Sequence, residues 1–250
     1  MAFKLLNQAT AIGSSLAVKI PANATKHFVE VFLESTTTTK ISVVELKLQG
    51  GFDNPKTSLS TAAVLGAGST NTRIKNTNAF YYMINGTNYT IAAGGTGTVH
   101  TDVNGTAITA AITDAKYGGL CVYANTSGAL VCKPPTGYTD HSLQAFDDAA
   151  TCLAALKTVE TPSTCVLLGY EVNLGASTFV WGSKSIAGAT FYDEYPPFYD
   201  LDTYNLDATA LTNQRTAFTT IDASAEYIRV YLSALTGTGY VTVKYTPIEG

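Results

Sequence analysis

The chain has 250 residues, 46% of them hydrophobic and only 14% charged, against roughly 25% charged in an ordinary soluble domain. A chain this long buries roughly 70–75% of the surface it exposes when unfolded, so its core needs neither a metal nor disulfides. The formal charge of −4 and the lack of any basic run exclude a phosphate-neutralising surface, and no stretch approaches the ~18 consecutive apolar residues of a membrane span.

Something other than charge covers this surface, and here it is Thr, Ser, Asn and Gly, which suit strands and tight turns. Burying threonine costs less than burying lysine or glutamate, so the composition also suits surfaces that neighbours cover.

Taken in chain order, the opening Met1-Ala-Phe-Lys-Leu-Leu-Asn-Gln is broken early by Asn7, Gln8 and Thr10, then by Gly13-Ser14-Ser15. It reads as an N-terminal strand with no targeting signal. Residues 16–20 alternate and stop at Pro21, residues 27–34 run into a turn through Ser35 to Thr39, and residues 40–48 end at Gly50-Gly51. Period-two alternation marks all three as half-buried strands. Val29, Val31 and Leu33 form the core face of the second, opposite Phe28, Glu30 and Phe32.

In the middle, Asn85-Gly86 predicts a two-residue hairpin pairing Ile84 with Thr87, Tyr82 with Tyr89 and Phe80 with Ile91. Asn104-Gly105 predicts another, pairing Val103 with Thr106 and Thr101 with Ile108. A third is expected around Asn125-Thr126-Ser127-Gly128, with Gly128 left-handed and Val122 opposite Cys132. That register turns Cys121 to the other face, so a Cys121–Cys132 disulfide would need a different pairing. With no CxxC pair among Cys121, Cys132, Cys152 and Cys165, zinc ribbons and thioredoxin-like redox sites are excluded, and Cys121 and Cys132 are expected as free buried thiols.

One helix is expected near 142–157, capped by Asp140, His141 or Ser142, with Leu143, Phe146, Ala150, Leu153 and Leu156 at helical spacing. Pro162 ends the connection. Residues 165–172 read as a central strand buried on both faces, and residues 179–181 as another. At the C-terminal end, residues 226–245 echo 27–46: Tyr227 matches Phe28, Ile228 matches Val29, and Val230, Tyr231 and Leu232 match Val31, Phe32 and Leu33. The echo reads as shared hairpin grammar and suggests that both ends belong to one sandwich. The expected fold is mainly β, a β-sandwich or jelly-roll-like host domain from 1–77 and 201–250. Into it is inserted a β-rich (α+β) domain, 78–200, that carries the single helix.

Candidate chemistry is sparse. His27, His100 and His141 are scattered without paired-ligand spacing and are read as surface or capping residues. Gly94-Gly95-Thr96-Gly97 lacks the Lys and following helix of a phosphate loop and reads as a flexible loop. Asn-x-Thr triplets at Asn23, Asn85, Asn88 and Asn104 read as turn and strand chemistry. The stretch Phe191-Tyr-Asp-Glu-Tyr-Pro-Pro-Phe-Tyr-Asp200 stands out. It fits an interdomain linker, a protein contact surface, or a carboxylate site for Ca²⁺ or acid–base work. Against the last, it has no Gly turn and its carboxylates flank a Pro-Pro break. Tyr192, Tyr195, Phe198 and Tyr199 are therefore the candidate interface residues, since aromatic anchors carry much interface energy. No catalytic, cofactor-binding or metal-binding residues are assigned, and the chain is not read as an enzyme; a hydrolase would have to use Asp193 and Glu194.

The run Phe80-Tyr-Tyr-Met-Ile-Asn-Gly-Thr-Asn-Tyr-Thr, the Ala-rich helix and Cys165-Val-Leu-Leu-Gly-Tyr-Glu-Val resemble, in this order, a domain that recurs in tailed-phage virion proteins. The segment Tyr227-Ile-Arg-Val-Tyr-Leu-Ser-Ala-Leu-Thr-Gly-Thr-Gly-Tyr-Val-Thr-Val resembles the closing hairpin of phage head and tail β-sandwich proteins. The resemblance implies a structural virion protein, a capsid decoration or cement protein made in the host cytoplasm. It would clamp the major capsid protein or other virion proteins and associate with its own copies, a trimer among the options. No cofactor, nucleic acid or membrane is implied. The alternative is a tail or fibre protein that binds a host receptor or glycan through loop aromatics such as Tyr138, Tyr195 and Tyr199.

Overall fold

Alternating aliphatic residues build the outer strands, and turn chemistry places the inner ones. The computed structural model describes residues 2–249 apart from 22–23, 36–40, 42, 52–54, 71, 178, 208–212 and 222–224; the expected turn at 36–39 and the Asn23 triplet lie outside the described residues. The chain begins with β1 (Phe3–Ala9), β2 (Gly13–Ser14), β3 (Val18–Lys19), β4 (Ala24–Ser35) and β5 (Val43–Gly51). Then follow β6 (Ser58–Leu59), β7 (Leu65–Ala67), β8 (Ile74–Asn76), β9 (Phe80–Ile84), β10 (Thr87–Ile91), β11 (Ala111–Ile112), β12 (Tyr117–Asn125), β13 (Leu130–Lys133) and β14 (Leu143–Gln144). The helix α1 (Ala149–Lys157) precedes β15 (Cys165–Leu174), β16 (Phe179–Val180) and β17 (Thr190–Asp193). The last strands are β18 (Tyr199–Asp207), β19 (Asn213–Ile221), β20 (Tyr227–Thr236) and β21 (Gly239–Glu249). They form two compact units, an outer one of residues 1–56 with 197–250 and an inner one of residues 57–196.

In the outer unit two antiparallel sheets run β1-β21-β4-β19 and β18-β5-β20-β2. β3 continues β2 along β20, and Ser15 bridges the two by bonding both the N–H and the C=O of Val230. With β2 and β3 counted as one interrupted strand, the eight strands in chain order read 1-8-3-6 and 5-4-7-2. That is the order of a jelly roll, two Greek keys folded over one core. Val29, Val31 and Leu33 face that core, together with Leu46, Val230 and Val243 from the other long strands. Each such fully buried side chain is worth about 1.5–3 kcal/mol relative to exposure.

The echo between 27–46 and 226–245 has a different meaning from the hairpins expected. β4 pairs with β21 and β5 with β20, so β4→β5 and β20→β21 each cross between the two sheets. The shared pattern marks two equivalent corners of one sandwich. Hydrophobic alternation specifies which face is buried but not which strand lies beside it.

In the inner unit the sheet β13-β12-β15-β17 is covered on both faces. Cys121, Tyr123, Cys165 and Tyr170 meet Cys152 and Leu156 of α1 on one side. Leu120, Val122 and Leu168 on the other meet Phe80 and Tyr82 of β9 and Trp181, just after β16. β15 is internal to the sheet and buried along nearly its whole length, as expected. The boundaries differ from 77 and 200. Residues 57–77 belong inside, because Ser58 and Leu59 of β6 pair with Met83 and Tyr82. Tyr199 and Asp200 belong outside, because they pair with Gly50 and Gln49.

The turns follow local chemistry closely. Asn85 and Gly86 take φ of 50° and 83°, and the ladder pairs Ile84–Thr87, Tyr82–Tyr89 and Phe80–Ile91 as expected. Gly128 has φ of 78° and Val122 faces Cys132, also as expected. At Asn104-Gly105 the register is one residue away from expectation: Thr101 bridges Ala107, and the Asp102 N–H donates to the Thr106 carbonyl. The Asp102 carboxylate accepts from the N–H groups of both Asn104 and Thr106, which draws a third residue into the loop.

The helix is shorter than expected. It starts at Ala149, where Asp148 is the N-cap and accepts from Thr151 N–H at 2.7 Å. Residues 143–144 are instead a strand parallel to β11, and Leu143 points out, 62% exposed. Gln144 decides this: its buried amide accepts from Gly119 N–H and donates to Gly119 C=O, which holds its backbone extended against β12.

Candidate functional site

The aromatic stretch divides between the units. Tyr192 lies on the edge strand β17, half-buried opposite Tyr170. Tyr195, 75% exposed, flanks a groove of about 410 Å³ whose other walls include Leu153, Lys157, Tyr192 and Glu194. Its carboxylates are engaged: Asp193 Oδ1 accepts from Leu65 N–H at 2.9 Å. Burial pushes the Tyr170 phenol up to about 12, and the charge of Glu194 adds to the rise.

Phe198 and Tyr199 belong to the outer unit. Tyr199 opens β18 and is 40% exposed, whereas Phe198 is buried. This corrects Phe198 as a candidate interface residue. Its ring lies 4.0 Å from the Arg229 guanidinium carbon, and Gly51 leaves it room, since a Cβ there would stand 2.8 Å from the ring. Arg229 Nε donates to Gln49 Oε1, Gln49 Nε2 to Asp200 Oδ1 and Lys47 Nζ to Asp200 Oδ2. This chain of contacts fastens the returning strand β18 to β5. Burial lowers the Arg229 guanidinium to about 10, with Tyr231 and Asp200 opposing the fall.

Two of the three histidines overturn the expectation of surface or capping roles. His27 is buried with Nδ1 2.7 Å from the Tyr245 hydroxyl, and His100 is buried with Nε2 2.9 Å from Glu171 Oε2. Trp181 closes over His100, ring centres 5.2 Å apart. Only His141 is exposed, and it meets the Thr109 hydroxyl rather than a helix end. The buried partners come from strands far away in sequence, so no spacing motif announces them.

Compared with known proteins, the chain matches no family model, no curated protein and no solved structure.

A second and larger cleft, about 610 Å³, opens within the inner unit. Four segments wall it: the Asp102–Asn104 turn, the end of β13 through Pro134, the loop Tyr138–Asp140, and residues 160–163 after the helix. Burial raises the Asp140 carboxyl above the ordinary carboxylate range; the charge of Asp102 and a hydrogen bond with it add to this, and His141 opposes it. Lys133 Nζ donates to the Glu160 carbonyl at 3.3 Å. Tyr138 stands against Phe146, ring centres 5.4 Å apart. Sequence reading picked out Tyr138 but missed Asp102 and Asp140, which only the folding of two loops brings together.

Among the described residues no group of three or more His, Cys, Asp or Glu is placed to hold a metal, and no helix is long and apolar enough to cross a membrane. All four cysteines are free and buried, and burial raises each thiol. Buried and protonated, those thiols are poor nucleophiles.

Proposed function

We propose that the chain is a structural virion protein of a tailed bacteriophage, a capsid decoration or cement protein that contacts the major capsid protein and copies of itself. The observation that carries this reading is the jelly-roll strand order of the outer unit, with the whole inner unit carried between β5 and β18. Viral capsid and lectin domains use this fold, which on its own hosts many functions. The charge-poor composition narrows the choice towards surfaces that neighbours cover. Edge strands β1 and β19 of one sheet, and β18 and β2 of the other, can each take a neighbour's strand by backbone pairing.

The test uses the full chain. Light scattering should give the mass of a homo-oligomer, and the protein should bind saturably to isolated phage heads, at regular positions visible by cryo-electron microscopy. Interfaces on the order of 1,000 Å² or more are expected. A monomer that ignores heads of every phage tried overturns the reading. A tail or fibre protein with a receptor role is the second reading, favoured by the Tyr138 cleft.

A further inference from the structure

We infer that the inner-unit cleft between Asp102, Lys133, Tyr138 and Asp140 is a binding site for a neutral, hydroxyl-rich ligand, a short saccharide. Its size of about 610 Å³ suits a small ligand, since such sites typically span ~300–1,000 Å³.

The lining selects the chemistry. A sugar hydroxyl both donates and accepts, so it needs both functions opposite it. Asp102 and Asp140, neighbouring carboxyl groups in the lining, supply the acceptors. Asp102 is held in place by the N–H groups of Asn104 and Thr106, so its geometry is set before any ligand arrives. Lys133 adds a donor, tied back by the Glu160 carbonyl.

Part of the remaining lining is apolar. Tyr138, backed by Phe146, offers a ring whose orientation is fixed, and Pro134 and Pro162 extend the surface. The C–H face of a pyranose packs on such a surface while its hydroxyls turn to the carboxyl groups. Acidic side chains in the lining outnumber the one ammonium, which disfavours phosphorylated, sulfated or sialylated ligands. The inference stands apart from the virion reading: loss of head binding would leave it intact, and its own failure leaves head binding untouched.

The experiment titrates the full-length protein with neutral di- and trisaccharides of glucose, galactose, mannose and N-acetylglucosamine, followed by calorimetry. At least one should bind at millimolar concentration or below. Tyr138→Ala and Asp140→Ala should each weaken it by about tenfold or more, with an unchanged Tm, while Tyr195→Ala, in the other groove, leaves it unaltered. Where Tyr138→Ala lowers Tm, Tyr138→Phe serves instead and should retain binding within about threefold. No binding across the panel, a preference for anionic sugars, or binding that survives both alanine variants overturns the inference.

Discussion

Nε2 of His100 stands 2.9 Å from Oε2 of Glu171, and both side chains are fully buried in the inner unit. Glu171 lies mid-strand in β15, between β12 and β17. Among the described residues the remaining atoms, His100 Nδ1 and Glu171 Oε1, meet no hydrogen-bond partner. Each member therefore depends on the other. His100→Ala should cost about 3–5 kcal/mol, because it leaves a buried carboxyl group without a partner. Replacing both residues by leucine should cost less than either single alanine change. Urea denaturation of the three variants checks this, and a loss under about 1 kcal/mol for His100→Ala would remove the pair as a determinant of the fold.

The thiols give a pH dependence. Burial pushes Cys121 up to about 11 and Cys152 to about 12, while an unfolded thiol titrates near ~8.5. The folded state thus keeps its protons where the unfolded chain has lost them, so stability is full below about pH 8.5 and falls as pH rises towards 10. Urea midpoints in reductant should drop across that window, and buried Tyr82, Tyr170 and Tyr245, whose phenols burial also raises, add to the fall as pH nears the ~10 of an unfolded tyrosine. Cys152→Ala should shallow the slope. In native buffer a thiol reagent should label none of the four, and all four in denaturant; rapid native labelling would contradict their burial.

Gly119 lies where α1 packs against β12. A Cβ there would sit 2.7 Å from Leu156 Cδ1, 2.7 Å from the Glu171 carbonyl and 3.1 Å from Cys152 Sγ. The carbonyl belongs to a paired strand and cannot retreat. Gly119→Ala should therefore destabilise the protein by about 1–3 kcal/mol. Thermal melts that leave Tm unchanged would mean that the helix moves freely on the sheet.

Arg229 joins Gln49, Asp200 and Phe198 at the point where the chain re-enters the outer unit. Arg229→Ala should cost about 3 kcal/mol or more, since it breaks a buried charged network. Arg229→Lys should recover only part of that, for an ammonium lacks both the Nε donor and the flat face over Phe198. Equal stability of the lysine variant and the parent, by denaturant titration, would show that charge alone matters here.

Local signals in the chain were strong wherever a physical rule acts over a few residues. Asn85-Gly86 set its turn and ladder because only those residues take left-handed φ cheaply. Gly128 likewise set the register that leaves Cys121 and Cys132 on opposite faces. The buried faces of β4 and β15 were legible from their apolar pattern. Where two rules compete, reading failed: Asp102 lengthened one turn, and Gln144 took residues 143–144 out of the helix.

By itself, then, the sequence determined a mainly β chain, the hairpins at Asn85-Gly86 and Gly128, the existence of a helix and the presence of a sandwich at its two ends, because alternation and turn propensity act within a few residues. Only the tertiary structure decided which strands lie side by side in the jelly roll, that His27 and His100 are buried, that Phe198 lies under Arg229, and that Asp102 faces Asp140. These relations join residues dozens to hundreds of positions apart. They depend on the geometry of two sheets closing over one core, which no local pattern encodes.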